Sequence, residues 1–449
     1  MKDEYTSRKL SPHQLLVFGF TGMILLGTAL LMLPYSTTQG ITVTDALFTS
    51  TSAVCVTGLI VKNTLVDFTL FGKGVILVLI QIGGLGYMSM ATFLALLIGR
   101  KIGLSERILI KESLNIATLE GIIRFMKGML LFVFLAEGTG AVILTLRFLK
   151  EFPLKEAVFQ GVFHSVSAFN NAGFSLFQDS LIRFRGDVTI NLTIMSLIVL
   201  GGIGFLVVDD LYGWVKKRQK KLMLHTLIVL ISTAFLIIVG AFLFYFNERR
   251  YFFAASGPSS LETVLTSLFA SVTARTAGFN TIDYSVLQPA TIFLTIILML
   301  IGASPGGTGG GIKTTTVTVV IMNLWSTIKG RKDTVMFKRR VPEALISRSF
   351  VVLALAVIFI NIITLVIIDI EHTGFQKTMF EVVSAFGTVG LSTGDGGARS
   401  FCATFSDPSK IIIIFTMLAG RLGPLTLFMA LLGQKEERIR YPEGRIMIG

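Results

Sequence analysis

The 449-residue sequence is poor in charge, cysteine and histidine, and each shortage argues against a class of protein. Only 15% of the residues are charged, whereas 52% are hydrophobic and the mean hydropathy is +0.75. A soluble protein of this length needs more polar surface than this composition supplies. Two cysteines are too few for a disulfide framework, and the four histidines are scattered without the spacing of a metal site.

Long apolar runs are what the sequence contains instead. An apolar run of about 18–20 residues can span a bilayer as a helix. The first run follows a basic start but is too long for a signal peptide and has no small-residue cleavage site after it, so we expect it to be retained. We predict an all-α polytopic membrane protein with eight spans, near residues 15–33, 73–98, 129–149, 190–215, 224–246, 291–325, 350–370 and 411–432.

A short motif recurs four times and organises the chain. Each copy places a glycine before a large apolar residue, and the glycines lie 115, 105 and 112 residues apart. The segment before each glycine is too short to cross a bilayer, so we interpret it as a half-helix that enters the membrane and returns. The repeat predicts four pseudo-fourfold M1–P-loop–M2 units around one central pore. The copies are Val56-Thr57-Gly58, Asn171-Ala172-Gly173, Thr276-Ala277-Gly278 and Thr388-Val389-Gly390.

Basic residues are concentrated on alternate connections between the predicted spans. The two terminal segments and three linkers hold 25 Lys and Arg residues, against 10 in the loops on the opposite side. Because cytoplasmic loops carry this excess, both termini are predicted to be cytoplasmic and the half-helices to enter from outside. Topology thus accounts for the net charge of +13, which argues against nucleic-acid binding.

These signals also predict the domain boundaries. We expect a cytoplasmic lead, four units separated by connectors, and a cytoplasmic tail, at residues 1–14, 15–98 (unit 1), 99–215 (connector and unit 2), 216–325 (unit 3), 326–433 (basic linker and unit 4) and 434–449. Small residues recur in the second span of each unit, which predicts close packing of the half-helix between the two spans. They lie at 82–85, 200–203, 301–304 and 418–421.

The four glycine motifs place irregular backbone at membrane depth. Such backbone is tolerated only when it is buried in protein or lines a watery cavity. Four copies around an axis would form rings of carbonyl oxygens, which can replace the hydration shell of a monovalent cation. The side chains before the glycines are mostly uncharged, which favours selection by carbonyls over selection by carboxylates. The alternative is four tight turns that only pack.

Several polar residues beside the motifs or inside spans are candidates for function. Asn170 and Asn171 are expected to brace the second motif. Arg275 would repel cations if it faced the axis, so we expect it to point toward carbonyls or an acid such as Glu262. Arg421 lies inside the eighth span, where an arginine is a functional candidate. It either faces the pore or pairs with a buried acid, for which Glu137 is one choice.

The interruption of the sixth run has six glycines in the twelve residues 302–313. A phosphate-binding loop requires glycine directly before lysine, but Ile312 separates Gly311 from Lys313, so ATP binding is disfavoured. A simple helix kink would need fewer glycines. We predict a flexible loop, extending over 302–316, that obstructs the pore. The predicted gate residues are Gly306, Gly307, Thr308, Gly309, Gly310, Gly311 and Lys313.

Over nearly its whole length the chain resembles the membrane subunits of the bacterial Ktr potassium uptake systems, in the Trk/Ktr/HKT superfamily. Gly58, Gly173, Gly278 and Gly390 fall on that family's four filter glycines, where glycine in all four units goes with potassium selectivity and serine in the first with sodium preference. The resemblance implies K⁺ as the transported ion, Na⁺ as an activating ion, a gate in the second span of unit 3, and a pore-facing Arg421.

The resemblance also implies an assembly. Members of this family are homodimers in the bacterial plasma membrane, and they sit on a cytosolic, KtrA-like ring of nucleotide-binding regulatory subunits. ATP or ADP would act only through that ring, because this chain has no nucleotide-binding domain of its own. No covalently bound cofactor and no enzymatic activity are expected.

Other classes of function remain as alternatives. A secondary solute carrier also has broken helices at the membrane midplane. Such carriers usually contain two inverted repeats, whereas the four repeats here have the same sense. A membrane enzyme is a further alternative, although the scattered histidines offer no metal spacing.

Overall fold

The computed structural model describes residues 11–86, 122–217, 219–394 and 399–432. The expectations for the N-terminal lead before Ser11, for most of the connector, for the end of the second span and for the tail 434–449 lie outside these residues. The described residues form helices joined by loops, with one two-stranded hairpin. The predicted all-α fold class is confirmed.

Unit 1 contains a long helix, a short helix and a second apolar helix. Ser11 and Gln14 form a capping box that starts the first helix. The second helix has 12 residues, about 18 Å of rise, and is the predicted half-helix. Asp45 in its first turn suits the positive end of the helix dipole. The three helices are α1 (Pro12–Leu31), α2 (Val43–Val54) and α3 (Leu70–Leu85).

Units 2 to 4 repeat this order, with additional breaks. Unit 2 comprises α4 (Ile122–Phe148), α5 (Leu154–Phe169), α6 (Val188–Gly202) and α7 (Phe205–Val215). Unit 3 comprises α8 (Leu224–Glu248), α9 (Phe252–Ser256), α10 (Ser260–Thr273), α11 (Pro289–Leu300) and α12 (Thr314–Ile328). Unit 4 comprises α13 (Glu343–Glu371), α14 (Phe375–Gly387), α15 (Asp407–Leu422) and α16 (Pro424–Leu432). An antiparallel hairpin, β1 (Val335–Met336) and β2 (Arg339–Arg340), connects α12 to α13.

The long helices agree with the predicted first spans, but the second spans differ from the prediction. In the described residues, α1, α4, α8 and α13 are each long and apolar enough to cross a membrane. The second spans of units 2 and 4 were expected to be continuous, and they are bent by 95° and 104°. The breaks fall at Gly204 (φ 93°) and Gly423 (φ 84°), a conformation that glycine adopts easily. The chain is therefore a multi-pass membrane protein in which the second spans of units 2 and 4 are broken rather than continuous.

The four units close into a ring. Each half-helix packs against the second helix of the preceding unit, and the half-helix of unit 1 packs against the second helix of unit 4. The pairs are α5 with α3, α10 with α6, α14 with α11, and α2 with α15. Because this order returns to its start, the half-helices surround a common centre.

Glycines in the second helices make this packing possible, as the sequence predicted. A Cβ on Gly83, Gly201 or Gly420 would lie closer than 3.0 Å to a backbone carbonyl at the end of a half-helix, a separation that real Cβ atoms essentially never show. The carbonyls belong to Val54, Phe169 and Phe386. Small residues thus let the half-helices of units 1, 2 and 4 fit between their two spans.

Candidate functional site

The four segments 56–58, 171–173, 276–278 and 388–390, called the glycine segments below, share one unusual backbone conformation. Each contains two residues with positive φ, separated by one residue with ordinary φ. A non-glycine residue at positive φ is uncommon, so its occurrence at four equivalent positions marks a repeated structural requirement. The pairs are Val56 (φ 50°) and Gly58 (86°), Asn171 (57°) and Gly173 (70°), Thr276 (71°) and Gly278 (76°), and Thr388 (50°) and Gly390 (92°).

The glycine segments meet one another in a closed ring. A Cβ added to any of the four glycines would lie closer than 3.0 Å to a carbonyl oxygen of the next unit. That carbonyl always belongs to the residue just before the next glycine, so each unit presents the same oxygen to its neighbour. The contacts run from Gly58 to Ala172, from Gly173 to Ala277, from Gly278 to Val389 and from Gly390 to Thr57. Four backbone carbonyls from four units therefore surround the same point.

A hydroxyl group at the end of each half-helix holds its glycine segment. In units 1 and 4 the serine Oγ accepts a hydrogen bond from the glycine N–H, and in units 2 and 3 the hydroxyl donates to the carbonyl after the glycine. The bonds are Gly58 N to Ser52 Oγ (3.0 Å), Gly390 N to Ser384 Oγ (3.0 Å), Ser167 Oγ to Phe174 O (2.8 Å) and Thr273 Oγ1 to Phe279 O (2.7 Å). The sequence reasoning missed these residues, although a hydroxyl residue recurs six positions before three of the glycines.

Unit 3 departs from this spacing. Its hydroxyl residue, Thr273, lies five residues before the glycine rather than six. Arg275 lies between the end of the half-helix and the glycine segment. The guanidinium is buried, with 7% of the residue exposed, and its Nη2 lies 3.5 Å from Thr233 Oγ1 in α8. Glu262, the suggested acidic partner, pairs with Arg185 instead.

The two asparagines of unit 2 are placed differently from each other. The Asn171 side chain is hydrogen-bonded to the Thr276 hydroxyl at 3.1 Å, which links the glycine segments of units 2 and 3. The Asn170 side chain points away from the ring and donates to Gln81 and Glu137. Glu137 is therefore a hydrogen-bond acceptor for Asn170, and it lies on the side of unit 2 that contacts unit 1.

The glycine-rich loop 302–313 crosses the space next to the ring. Its ends are joined, because Gly302 N donates to Ile312 O at 2.9 Å. Its middle is hydrogen-bonded to units 2 and 4: Thr308 N donates to Gly201 O (3.1 Å), and Gly310 N donates to Thr388 Oγ1 (2.9 Å). Thr388 belongs to a glycine segment, so the loop is hydrogen-bonded directly to the ring. The loop is thus hydrogen-bonded to neighbouring units and is more than a simple helix kink.

Two basic side chains hold the loop in place. Arg421 of α15 donates to the carbonyls of Thr308 and, in the second helix of unit 1, of Gly83 and Gly84. Lys313 Nζ donates to Gly309 O at 2.7 Å. Among the described residues, the hydrogen-bond partners of Arg421 are carbonyl oxygens, and Glu137 is not one of them. The arginine therefore ties the loop of unit 3 to both unit 4 and unit 1.

Cavities lie on both sides of this arrangement. On one side, all four ring glycines line a small polar funnel together with Asn63, Ser175, Asn280 and Ser392. On the other side, a cavity of about 550 Å³ is lined by the loop, Arg421 and Lys313. The ring glycines therefore line one cavity, and the glycine-rich loop lines another.

Removing one hydroxyl should show how far the ring depends on the half-helices. Ser384→Ala leaves the buried N–H of Gly390 without its acceptor, so we expect the free energy of unfolding to fall by about 1–3 kcal/mol. Thermal unfolding of the purified protein measures this. Ser349→Ala is the matched control, since its hydroxyl bonds only its own exposed helix turn. Equal melting temperatures for the two variants would contradict this role of Ser384.

Comparisons with known proteins identify relatives of this chain. The chain is 39% identical to the Ktr system potassium uptake protein B of Bacillus subtilis, over 98% of this chain and 97% of that protein. It is 38% identical to the protein of the same name from Vibrio alginolyticus, over 97% and 94%. It is also 38% identical to the potassium/sodium uptake protein NtpJ of Enterococcus hirae, over 98% of both chains.

The fold has a solved counterpart as well. The crystal structure of the potassium transporter TrkH from Vibrio parahaemolyticus matches with a TM-score of 0.72 at 19% identity, over 96% of this chain and 86% of that one. The family model described as TrkH, cation transport protein, matches residues 5–437, which is nearly the whole chain. The resemblance seen in the sequence is confirmed. The chain belongs to the TrkH family of cation transport proteins.

Proposed function

We propose that this chain carries potassium ions across the bacterial plasma membrane through the ring of glycine segments. The observation that carries the proposal is the cyclic contact between the ring glycines and the carbonyls of Thr57, Ala172, Ala277 and Val389. Four converging carbonyls suit a dehydrated monovalent cation. The three relatives compared above are named for potassium or potassium/sodium uptake, which supports K⁺ as the principal ion and a role for Na⁺.

The proposed filter consists of the glycine segments themselves. Its residues are Val56, Thr57, Gly58, Asn171, Ala172, Gly173, Thr276, Ala277, Gly278, Thr388, Val389 and Gly390. Asn170 and Arg275 support it from behind, because both side chains lie beside the segments and are buried. A buried guanidinium is costly unless its N–H groups are hydrogen-bonded, so we infer that Arg275 holds the glycine segment of unit 3 against α8, which carries Thr233.

The proposed gate is the glycine-rich loop, held closed by Arg421 and Lys313. The loop is hydrogen-bonded to the ring through Gly310 and also lines the larger cavity, which supports a position in the path of an ion that leaves the ring. Several glycines allow the loop to change shape at low steric cost. In this proposal the segment that changes conformation is Gly306 to Gly311, which includes Thr308. Lys313 and Arg421 stabilise its closed conformation.

Orientation and assembly follow from charge distribution and from the family. We place both termini and the hairpin linker on the cytoplasmic side, because the Lys and Arg excess lies there. The relatives are named as components of a Ktr system, which supports a cytosolic regulatory partner. We infer that a KtrA-like nucleotide-binding ring docks on this basic surface of a homodimer, and that nucleotide acts only through that partner.

Uptake of Rb⁺ into liposomes tests the proposal. Purified protein is reconstituted, and K⁺, Na⁺ and Cs⁺ are added outside as competitors. We expect Rb⁺ uptake that K⁺ inhibits at much lower concentration than Na⁺ does. Equal inhibition by all three ions, or uptake no faster than in protein-free liposomes, would contradict a potassium-selective pathway.

A further inference from the structure

A buried carboxylate lies directly behind the glycine segment of unit 2. Glu137 in α4 is only 6% exposed. One of its oxygens accepts a hydrogen bond from Asn170 Nδ2 at 2.9 Å, and the other accepts from Gln81 Nε2 at 3.2 Å. Asn170 is the residue immediately before the segment 171–173. The carboxylate is therefore one side chain away from the ring.

The directions of these hydrogen bonds are determined by the surrounding acceptors. Asn170 Nδ2 also faces Val166 O at 2.9 Å and Gln81 Oε1 at 3.0 Å. If the Asn170 amide were turned over, its oxygen would face three acceptors, so the nitrogen must face the cluster. The Gln81 oxygen is then an acceptor, and its nitrogen faces Glu137. Both oxygens of Glu137 meet N–H donors, an arrangement that an ionised carboxylate satisfies fully because it only accepts.

The cluster connects unit 1 to unit 2 and leaves Asn170 little room. Gln81 belongs to α3 of unit 1, Glu137 to α4, and Asn170 caps the half-helix α5. Gly84 packs against Asn170 on the other side, since a Cβ there would collide with Asn170 Oδ1. At the matching position three residues before the glycine, units 1 and 4 have Cys55 and Gly387, which carry no carboxamide. Unit 2 alone among these three has such a cluster.

We propose that Glu137 is a positioning residue for ion selection in the ring, an inference that rests on the proposed function. Its carboxylate fixes the Asn170 carboxamide, and through the backbone of Asn170 it fixes the carbonyls of Asn171 and Ala172. Hydrogen bonds to an ionised acceptor are roughly twice as strong as neutral ones. The charged cluster therefore keeps one quarter of the ring in the geometry that suits K⁺ better than Na⁺.

Exchanging the carboxylate of Glu137 with the carboxamide of Gln81 tests this proposal. Glu137→Gln removes the charge and replaces one carboxylate oxygen with an NH₂ group. That NH₂ group then faces the NH₂ group of Gln81, so two donors meet. In the double variant Gln81→Glu with Glu137→Gln, the new carboxylate accepts from Asn170 and from the new glutamine, and the glutamine oxygen accepts from Asn170. The double variant thus restores every hydrogen bond with the charge on the opposite side.

Competition by K⁺ and Na⁺ against Rb⁺ uptake in liposomes is the readout, at matched amounts of protein. Glu137→Gln should lower the preference for K⁺ over Na⁺ by about tenfold, the effect of losing one hydrogen bond to a charged group, and the double variant should recover most of it. A purely structural role would lower the amount of folded protein and leave the ion preference unchanged, which overturns the proposal.

The double variant keeps the test decisive if Glu137→Gln does not fold. In that case the double variant must accumulate in the membrane and discriminate K⁺ from Na⁺. A double variant that fails to accumulate, or that transports without discrimination, overturns the proposal. Wild-type protein that takes up no Rb⁺ contradicts the proposed function itself, whereas wild-type uptake with an unchanged Glu137→Gln preference contradicts this inference alone.

Discussion

Gly58→Ser should abolish most of the discrimination between K⁺ and Na⁺. Any Cβ at this position collides with the carbonyl of Ala172 in the next unit, and the backbone there has φ 86°, which strains a residue with a side chain. The carbonyl must move away from the ring, so the oxygen cage becomes wider and less regular. We expect the K⁺ preference in Rb⁺ competition to fall by about tenfold or more, equivalent to at least about 1.4 kcal/mol.

Gly40→Ser is the matched control for this variant. Gly40 also has positive φ, 81°, but a Cβ there would meet no atom within 4 Å. The two variants share the backbone strain of a serine in the left-handed region, and only Gly58→Ser adds a collision with the ring. Loss of K⁺ preference in both variants, or in neither, would mean that the carbonyl ring does not select the ion.

Deleting Gly306 to Gly309 should raise Rb⁺ flux in the absence of any regulatory partner. The deletion removes the Thr308 carbonyl that Arg421 holds and the Gly309 carbonyl that Lys313 holds. The ends of the loop are already joined through Gly302 and Ile312, so the shortened chain can close. Because hydrogen bonds to charged donors are lost, the closed state becomes less stable relative to the open state. We expect the flux to rise by about tenfold or more.

The ion preference of the deletion variant separates gating from leakage. Because the ring is unchanged, K⁺ should still compete better than Na⁺ while the flux rises. Arg421→Gln should show a smaller increase, with Arg348→Gln, at another position lining the same cavity, as its matched control. Flux that stays level or falls in the deletion variant would show that the loop does not obstruct the pathway.

Local patterns made most of the fold predictable. The length of an apolar run and the recurrence of a glycine motif are properties of short stretches of sequence, and they predicted the half-helices, the four units and the packing glycines. The motif alone could not show which hydroxyl group holds each segment. In unit 3 that group belongs to Thr273, which lies one position nearer to its glycine than the serines of the other units do.

The long-range partners of charged residues were not predictable. Arg421 holds carbonyls that are 113 and 338 residues away in the sequence, and a backbone carbonyl leaves no signal in the residue type that carries it. A carboxylate was therefore the natural expectation for a buried arginine. Glu137 instead pairs with two carboxamides, 33 and 56 residues away. The helix breaks at Gly204 and Gly423 were missed because glycine also occurs inside continuous membrane helices.

The position of a bound ion tests the central claim most directly. Crystals of the protein grown in Rb⁺ would reveal the ion by its anomalous scattering. The ring model predicts Rb⁺ on the central axis, in contact with the carbonyl oxygens of Thr57, Ala172, Ala277 and Val389, and predicts that Gly58→Ser weakens that peak. Rb⁺ bound elsewhere, with the ring left empty in the wild-type protein, would contradict the assignment of the glycine segments as the site of ion selection.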